Sequence, residues 1–265
     1  MLNACANSRL PVAGLLLVMA GCLVLSFELN GQEDPTPQLS GQEASLQPSS
    51  AELPAAAQAR LNQLEDALKA ANAAGDEKAE AKTLGQIGAL YFQASDFQKG
   101  MDSYNQALAL ARSASDDIEQ AVALIGIARC YRGQAQNEKA LQPFQQALDL
   151  ATASGNEPVQ AAALNGIGDV YAFLGDRQKA LEYFSQALPI TKDLRDRGGE
   201  AATLGAIGQA YSDLGEKQRA LEYFNQALPI QIEINYRAGE AATLRGIGKV
   251  YSDLGQKQRV LEYFS

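Results

Sequence analysis

The sequence predicts an all-α fold, a right-handed α-solenoid built from tandem helix-turn-helix units. Three observations lead there. First, residues recur at a fixed step of forty: Tyr91, Tyr131, Tyr171, Tyr211 and Tyr251; Ile87, Ile127, Ile167, Ile207 and Ile247; Tyr104, Phe144, Phe184, Phe224 and Phe264; Ala107, Ala147, Ala187 and Ala227. A period of this size marks stacked repeats rather than a globular domain. Second, each unit carries two apolar stripes at helical spacing. In one copy Leu164, Ile167, Val170 and Tyr171 form the first stripe, and Ala180, Leu181, Phe184, Ala187 and Leu188 the second. Leu174-Gly175-Asp176 punctuates between them. Third, one such hairpin cannot bury its apolar face alone, so neighbours must stack and share a core.

The elements follow in order. Residues 1–29 read as a signal peptide or membrane anchor: Arg9 is followed by a charge-free run from Leu10 to Phe27. Val18-Met19-Ala20-Gly21-Cys22 looks like a bacterial lipoprotein cleavage box, which makes Cys22 the lipidation candidate. The apolar run continuing through Leu23-Val24-Leu25 suits an uncleaved anchor, and cleavage with release is the third route. All three predict an exported, extracytoplasmic protein, attached to a membrane in the first two. Residues 30–53 hold Pro35, Pro37 and Pro48 among Gly, Gln and Ser, and read as a disordered linker. Residues 54–76 form a lone second helix, an N-terminal cap, because Leu64, Ala67 and Leu68 stand forty before Tyr104, Ala107 and Leu108. Units then occupy 77–116, 117–156, 157–196 and 197–236. A shortened fifth, 237–265, ends inside its second helix without a polar cap, which predicts a truncated chain and an end open to self-association.

Composition narrows the chemistry. The 265 residues include no His and no Trp, and only three Cys. Catalysis by Ser-His-Asp or Cys-His, and zinc held by His, are therefore excluded. No cofactor or metal site is expected. The formal net charge is −9, which argues against nucleic acid as a partner. Residues 1–59 hold one Arg and five acidic residues, so the repeats themselves are only mildly acidic.

The repeated residues resemble the tetratricopeptide repeat, whose pattern is W-x2-L-G-x2-Y, then A, F and P. The third unit matches with Ile167, Gly168, Tyr171, Ala180, Phe184 and Ala187, and the fourth with Ile207, Gly208, Tyr211, Ala220, Phe224 and Ala227. The fifth has Val260 in the Ala slot, the first has Gly100 there, and the second has Ala128 in the Gly slot and Pro143 inside its second helix. Leu84, Leu124, Leu164, Leu204 and Leu244 fill the Trp slot. The family's usual period is 34, so about six residues are extra. They are expected in a longer second helix plus loop, such as Thr191 to Gly199. The long period is similar to repeats of bacterial signalling and scaffold proteins and of kinesin light chains.

The resemblance implies peptide binding on a concave surface lined by first helices. The side chains expected there are Lys82, Ala89, Phe92, Arg129, Arg132, Asn165, Asp169, Gln209, Arg245 and Lys249. Asn can hold an extended backbone, and Arg and Lys can hold carboxylates. Asn165 occupies one place of the family's peptide-carboxylate clamp, which is otherwise incomplete. The same residues also suit a solvated inner face without a ligand. Three functions follow: a non-catalytic scaffold binding protein or peptide segments, a regulatory or sensor part of a larger bacterial protein whose catalytic domain, for example a caspase-like protease, is absent, or a self-assembling array. Other features read as structural. The Tyr and Phe series is core, Cys130 is a buried small side chain, and Glu80, Glu200 and Glu240 favour helix starts. Gly166-x-Gly168 lies mid-helix, where no phosphate loop forms.

Overall fold

The computed structural model describes residues 53–256. Cys22, the apolar run, the linker up to residue 52, and Val260 and Phe264 of the fifth unit lie outside them. Ten α-helices and no strands make up the described residues: α1 (Ala55–Ala74), α2 (Glu77–Gln93), α3 (Phe97–Ser113), α4 (Asp117–Gly133), α5 (Asn137–Ala153), α6 (Glu157–Leu174), α7 (Arg177–Asp193), α8 (Arg197–Asp213), α9 (Lys217–Glu233) and α10 (Arg237–Asp253). Even-numbered helices are the first helices of units, odd-numbered ones the second.

The local sequence repeats at half the expected period. From α2 onward the helices begin at residues 77, 97, 117, 137 and so on, every twenty residues. Two residues before each start, the chain turns through the left-handed region, at Gly75, Ser95, Ser115, Ala135, Gly155, Gly175, Arg195, Gly215 and Asn235. The next residue caps the helix. Asp76, Asp96, Asp116, Asn156, Asp176 and Asp196 each accept a backbone N–H three residues on, at 2.9–3.2 Å. The stretch Thr191 to Gly199 divides between the second helix, the turn and the next first helix. Thr191 is buried within α7, residues 192–193 complete that helix, and Gly199 already belongs to α8. From α2 onward first and second helices are equal in length at 17 residues, apart from α6 with 18; the leading α1 has 20. Pro143 does not break α5, which runs through it.

The left-handed turns give a stability prediction. Ala135 sits at φ 59°, which costs an L residue about 1–2 kcal/mol. Glycine escapes that cost but adds about 0.5–1 kcal/mol of chain entropy. Ala135→Gly is expected to raise stability by about 0.5–1 kcal/mol, whereas Gly175→Ala, at φ 92°, lowers it. Paired chemical-denaturation midpoints check the opposite signs.

Consecutive helices pack antiparallel, and each first helix also touches the next one: α2 with α4, α4 with α6, α6 with α8, α8 with α10. Among the described residues no two second helices touch. First helices therefore line the tighter, inner side. The core runs along the stack as one ring per unit. Tyr104, Phe144, Phe184 and Phe224 are all buried, each wedged between the first helix of its own unit and that of the next. Small residues admit the rings. A Cβ on Gly88 or Gly126 would stand 3.0 or 2.4 Å from Tyr104, on Gly166 2.3 Å from Phe144, on Gly168 2.6 Å from Phe184, and on Gly208 or Gly246 2.7 or 2.5 Å from Phe224.

The other aromatic series departs from expectation. Tyr91, Tyr131, Tyr171 and Tyr211 are half-buried rather than core. They lie near the first-to-second turn, where a cation from the second helix covers each ring: Lys99, Lys139, Lys179 and Arg219, at 5.4, 6.0, 5.0 and 5.4 Å from the centroids. Tyr171 and Tyr211 also stack on Tyr183 and Tyr223. α1 packs on α2 through Leu61, Leu64 and Ile87. Ala67 is exposed where Ala107 is buried, because among the described residues no helix precedes α1.

Cys130 is buried on α4, and a Cβ on Gly100 would lie 3.3 Å from its sulfur. Burial pushes its thiol up to about 11, so it stays protonated at neutral pH and is unreactive. Site-resolved alkylation at pH 8 is expected to leave Cys130 unmodified in the native protein and to label it in denaturant.

Candidate functional site

Two notches open on the inner surface between successive first helices, each floored by the ring of the intervening second helix. The notch between α2 and α4 encloses about 460 Å3 and reaches the start of α6. Tyr104 forms its floor, and burial pushes that phenol up to about 12. Its walls are Gly85, Ala89, Val122 and Ile125, with Pro158, Val159 and Ala162 at the α6 end, and Lys82, Glu119 and Arg129 at the rim. The Arg129 guanidinium lies 4.7 Å from the centre of the Phe92 ring. Neither Arg129 nor Lys82 forms an ion pair among the described residues. Glu119 has its carboxyl raised, first by burial and then by Asp116, while Lys82 opposes both.

A second notch, of about 290 Å3, lies between α8 and α10. Its Ala202, Gly205, Ala206, Gln209, Phe224, Gly239 and Ala242 each stand 120 residues after a lining residue of the first: Lys82, Gly85, Gln86, Ala89, Tyr104, Glu119 and Val122. Three repeats on, the same slots are kept and their chemistry changes from charged and apolar to small and neutral.

The residues expected at the site therefore divide. Lys82, Ala89 and Arg129 meet in the first notch, with Phe92 beneath the arginine. Gln209 lines the second, where its amide donates to Asp213 at 2.8 Å. The others are engaged with the array. Arg132 donates to Asp169 of the next unit at 2.8 Å. Burial raises the Asp169 carboxyl, and Arg132 pulls it back. Asn165 accepts from Thr203 at 3.0 Å. Arg245 donates to the Ala241 carbonyl, and Lys249 pairs with Asp213 at 3.3 Å. Sequence reasoning missed Glu119, Val122, Ile125, Val159, Gln231 and Gly239. They were detectable as slots whose residue changes between copies while neighbouring slots stay constant, such as 119, 159, 199 and 239 with Glu, Val, Gly and Gly. Among the described residues no group of three or more His, Cys, Asp or Glu could hold a metal, and no helix is long and apolar enough to cross a membrane.

Comparison with known proteins agrees with this geometry. No curated protein sequence matches the chain. Among solved structures it is similar to BtubC from P. vanneervenii, with 20% identity, 79% of this chain and 89% of that one covered, and a TM-score of 0.68. It is similar to a kinesin light chain with nearly identical TPR-like repeats from Podosopora anserina, with 18% identity, 71% and 92% covered, and a TM-score of 0.57. It is also similar to a Rap protein complexed with Competence and Sporulation Factor, with 16% identity, 79% and 68% covered, and a TM-score of 0.62. At these identities the likeness shows the fold. The tetratricopeptide repeat profile matches residues 79–153 and 159–233, more than half of the chain, and the protein belongs to the tetratricopeptide repeat family.

Proposed function

We propose that the array is a non-catalytic protein-interaction scaffold that captures an extended peptide segment along its inner face. The observation carrying this reading is the notch between α2 and α4. It combines an apolar floor and walls with an exposed arginine that no carboxylate occupies and that rests on Phe92. Such a site suits a segment presenting a carboxylate to Arg129 beside an apolar side chain for the notch. The complex of the structurally similar Rap protein with Competence and Sporulation Factor supports partner capture by this fold. The charge-free stretch from Leu10 to Phe27 supports an extracytoplasmic setting at a membrane, with Cys22 as the lipid acceptor.

Selection of random displayed peptides on the full chain tests this. Recovered ligands are expected to carry an acidic residue next to an apolar one, and Arg129→Ala is expected to weaken them at least tenfold. Recovery of no ligand, or unchanged binding when Arg129, Arg132, Arg245 and Lys249 are all changed to Ala, overturns it.

A further inference from the structure

Gln231 stands near the end of α9, where its forty-step counterparts are Ala71, Ala111, Ala151 and Thr191. The alanines need no partner, and the Thr191 hydroxyl donates to the Leu188 carbonyl. Gln231 is only 2% exposed, and its Oε1 has no hydrogen-bond donor. A buried acceptor left without a donor is costly, and in native proteins such an atom calls for a reason.

The amide end of Gln231 turns toward the notch between α8 and α10. Its Nε2 lies 3.2 Å from where a Cβ on Gly239 would stand and 3.7 Å from the same point on Gly205. Both glycines line that notch together with Gln231. No charged side chain lines it, so nothing there compensates an ion. Ala202, Ala206 and Ala242 keep it narrow, and its volume of about 290 Å3 suits one small group rather than a helix. Exposed apolar side chains adjoin it: Ile232 near the end of α9, Ile234 in the following turn, and Tyr236, which also lines the notch.

We propose that this notch is a subsite for a peptide amide, one backbone unit of an extended segment with a small side chain. Gln231 offers one donor and one acceptor in a single plane, the complement of a peptide N–H and C=O. Its terminal torsion is soft and two-fold, so either atom can be turned to the notch. A bound amide supplies the donor that Oε1 lacks. The proposal rests on the inner face being a peptide groove and adds to it a neutral subsite three repeats beyond the Arg129 notch.

The test is a nitrogen-15 NMR titration of the full chain with N-acetyl-alanine methylamide. Its methyl ester, which lacks the terminal N–H, serves as the control. Saturable shifts of the Gln231 side-chain amide and of the Gly205 and Gly239 backbone signals are expected. The ester is expected to bind at least tenfold more weakly, since a site built for a hydrogen bond rejects an analogue without it. Gln231→Ala, the residue present at 111 and 151, should keep the thermal midpoint and lose the binding. Ala202→Lys, the residue present at 82, closes the notch from its rim and gives a second loss independent of the core. No saturable shift, equal binding of the ester, or undiminished binding in both variants overturns the subsite. Selected peptides that bind while Gln231 stays unmoved overturn the subsite alone. A bound methylamide with no selectable peptide overturns the peptide-groove reading and leaves the amide pocket standing.

Discussion

Phe184→Ala is expected to remove about 3–5 kcal/mol of stability and to split unfolding into two transitions. The first part follows from burial: the ring is 1% exposed and packs against Ala180 and Ile207, with Tyr171, Leu188 and Ala206 around them. Truncating a ring so enclosed loses both transfer energy and contacts around the cavity left behind. The second part follows from architecture. In a stack, stability is close to a sum of repeat terms and nearest-neighbour interface terms. Phe184 joins α6 and α8, so its loss weakens the coupling between the units on either side. Urea unfolding followed by two probes, one before and one after α7, reads both effects. A loss below about 1 kcal/mol, or coincident transitions with unchanged slope, would show that this ring does not couple the units.

Gly166→Ala is expected to be much more harmful than Gly246→Ala, although the two glycines occupy the same slot. Each ring is gripped from two sides. Phe224 has a glycine on both, Gly208 and Gly246, so one added methyl leaves it room to shift toward the other. Phe184 already lives with one alanine, since Ala206 packs opposite Gly168. Phe144 has Ala128 on one side, and its only free side is Gly166, where a Cβ would lie 2.3 Å from the ring. A methyl there has nowhere to push the ring. Overpacking costs about 1–3 kcal/mol, partly offset by about 1 kcal/mol gained when helical Gly becomes Ala. The net expectation is a loss of about 1–2 kcal/mol for Gly166→Ala and a change within about 0.5 kcal/mol for Gly246→Ala. Equilibrium denaturation of both variants decides it, and equal effects contradict the two-sided grip.

These glycines also show how far the sequence could be read. The forty-step recurrence of Phe144, Phe184 and Phe224 was enough to predict the fold, because a buried ring per unit leaves a repeated trace. The twenty-residue half-step was harder to see. It is written in short caps such as Gly75-Asp76, Ser95-Asp96 and Gly155-Asn156, whose residue types vary although their backbone geometry does not. The Tyr91 series looked like core because its spacing is as regular as that of Phe184. Regular spacing fixes which face a residue occupies, not whether a lysine covers it from the next helix. At the inner face, Lys82 and Arg129 were legible as polar positions between apolar ones. The pairing of Arg132 with Asp169 was not, since it joins residues of different units. Gln231 was legible only as a change of residue type in a second-helix slot; packing alone turns its amide toward first-helix residues.

In the proposed function the first helices form the binding surface. Hydrogen exchange of the full chain with and without a selected peptide tests it most directly. Added protection is expected in α2, α4 and the start of α6, around Lys82, Glu119 and Val159, with α3, α5 and α7 unchanged. Protection confined to the second helices, with α2 and α4 unchanged, would contradict it.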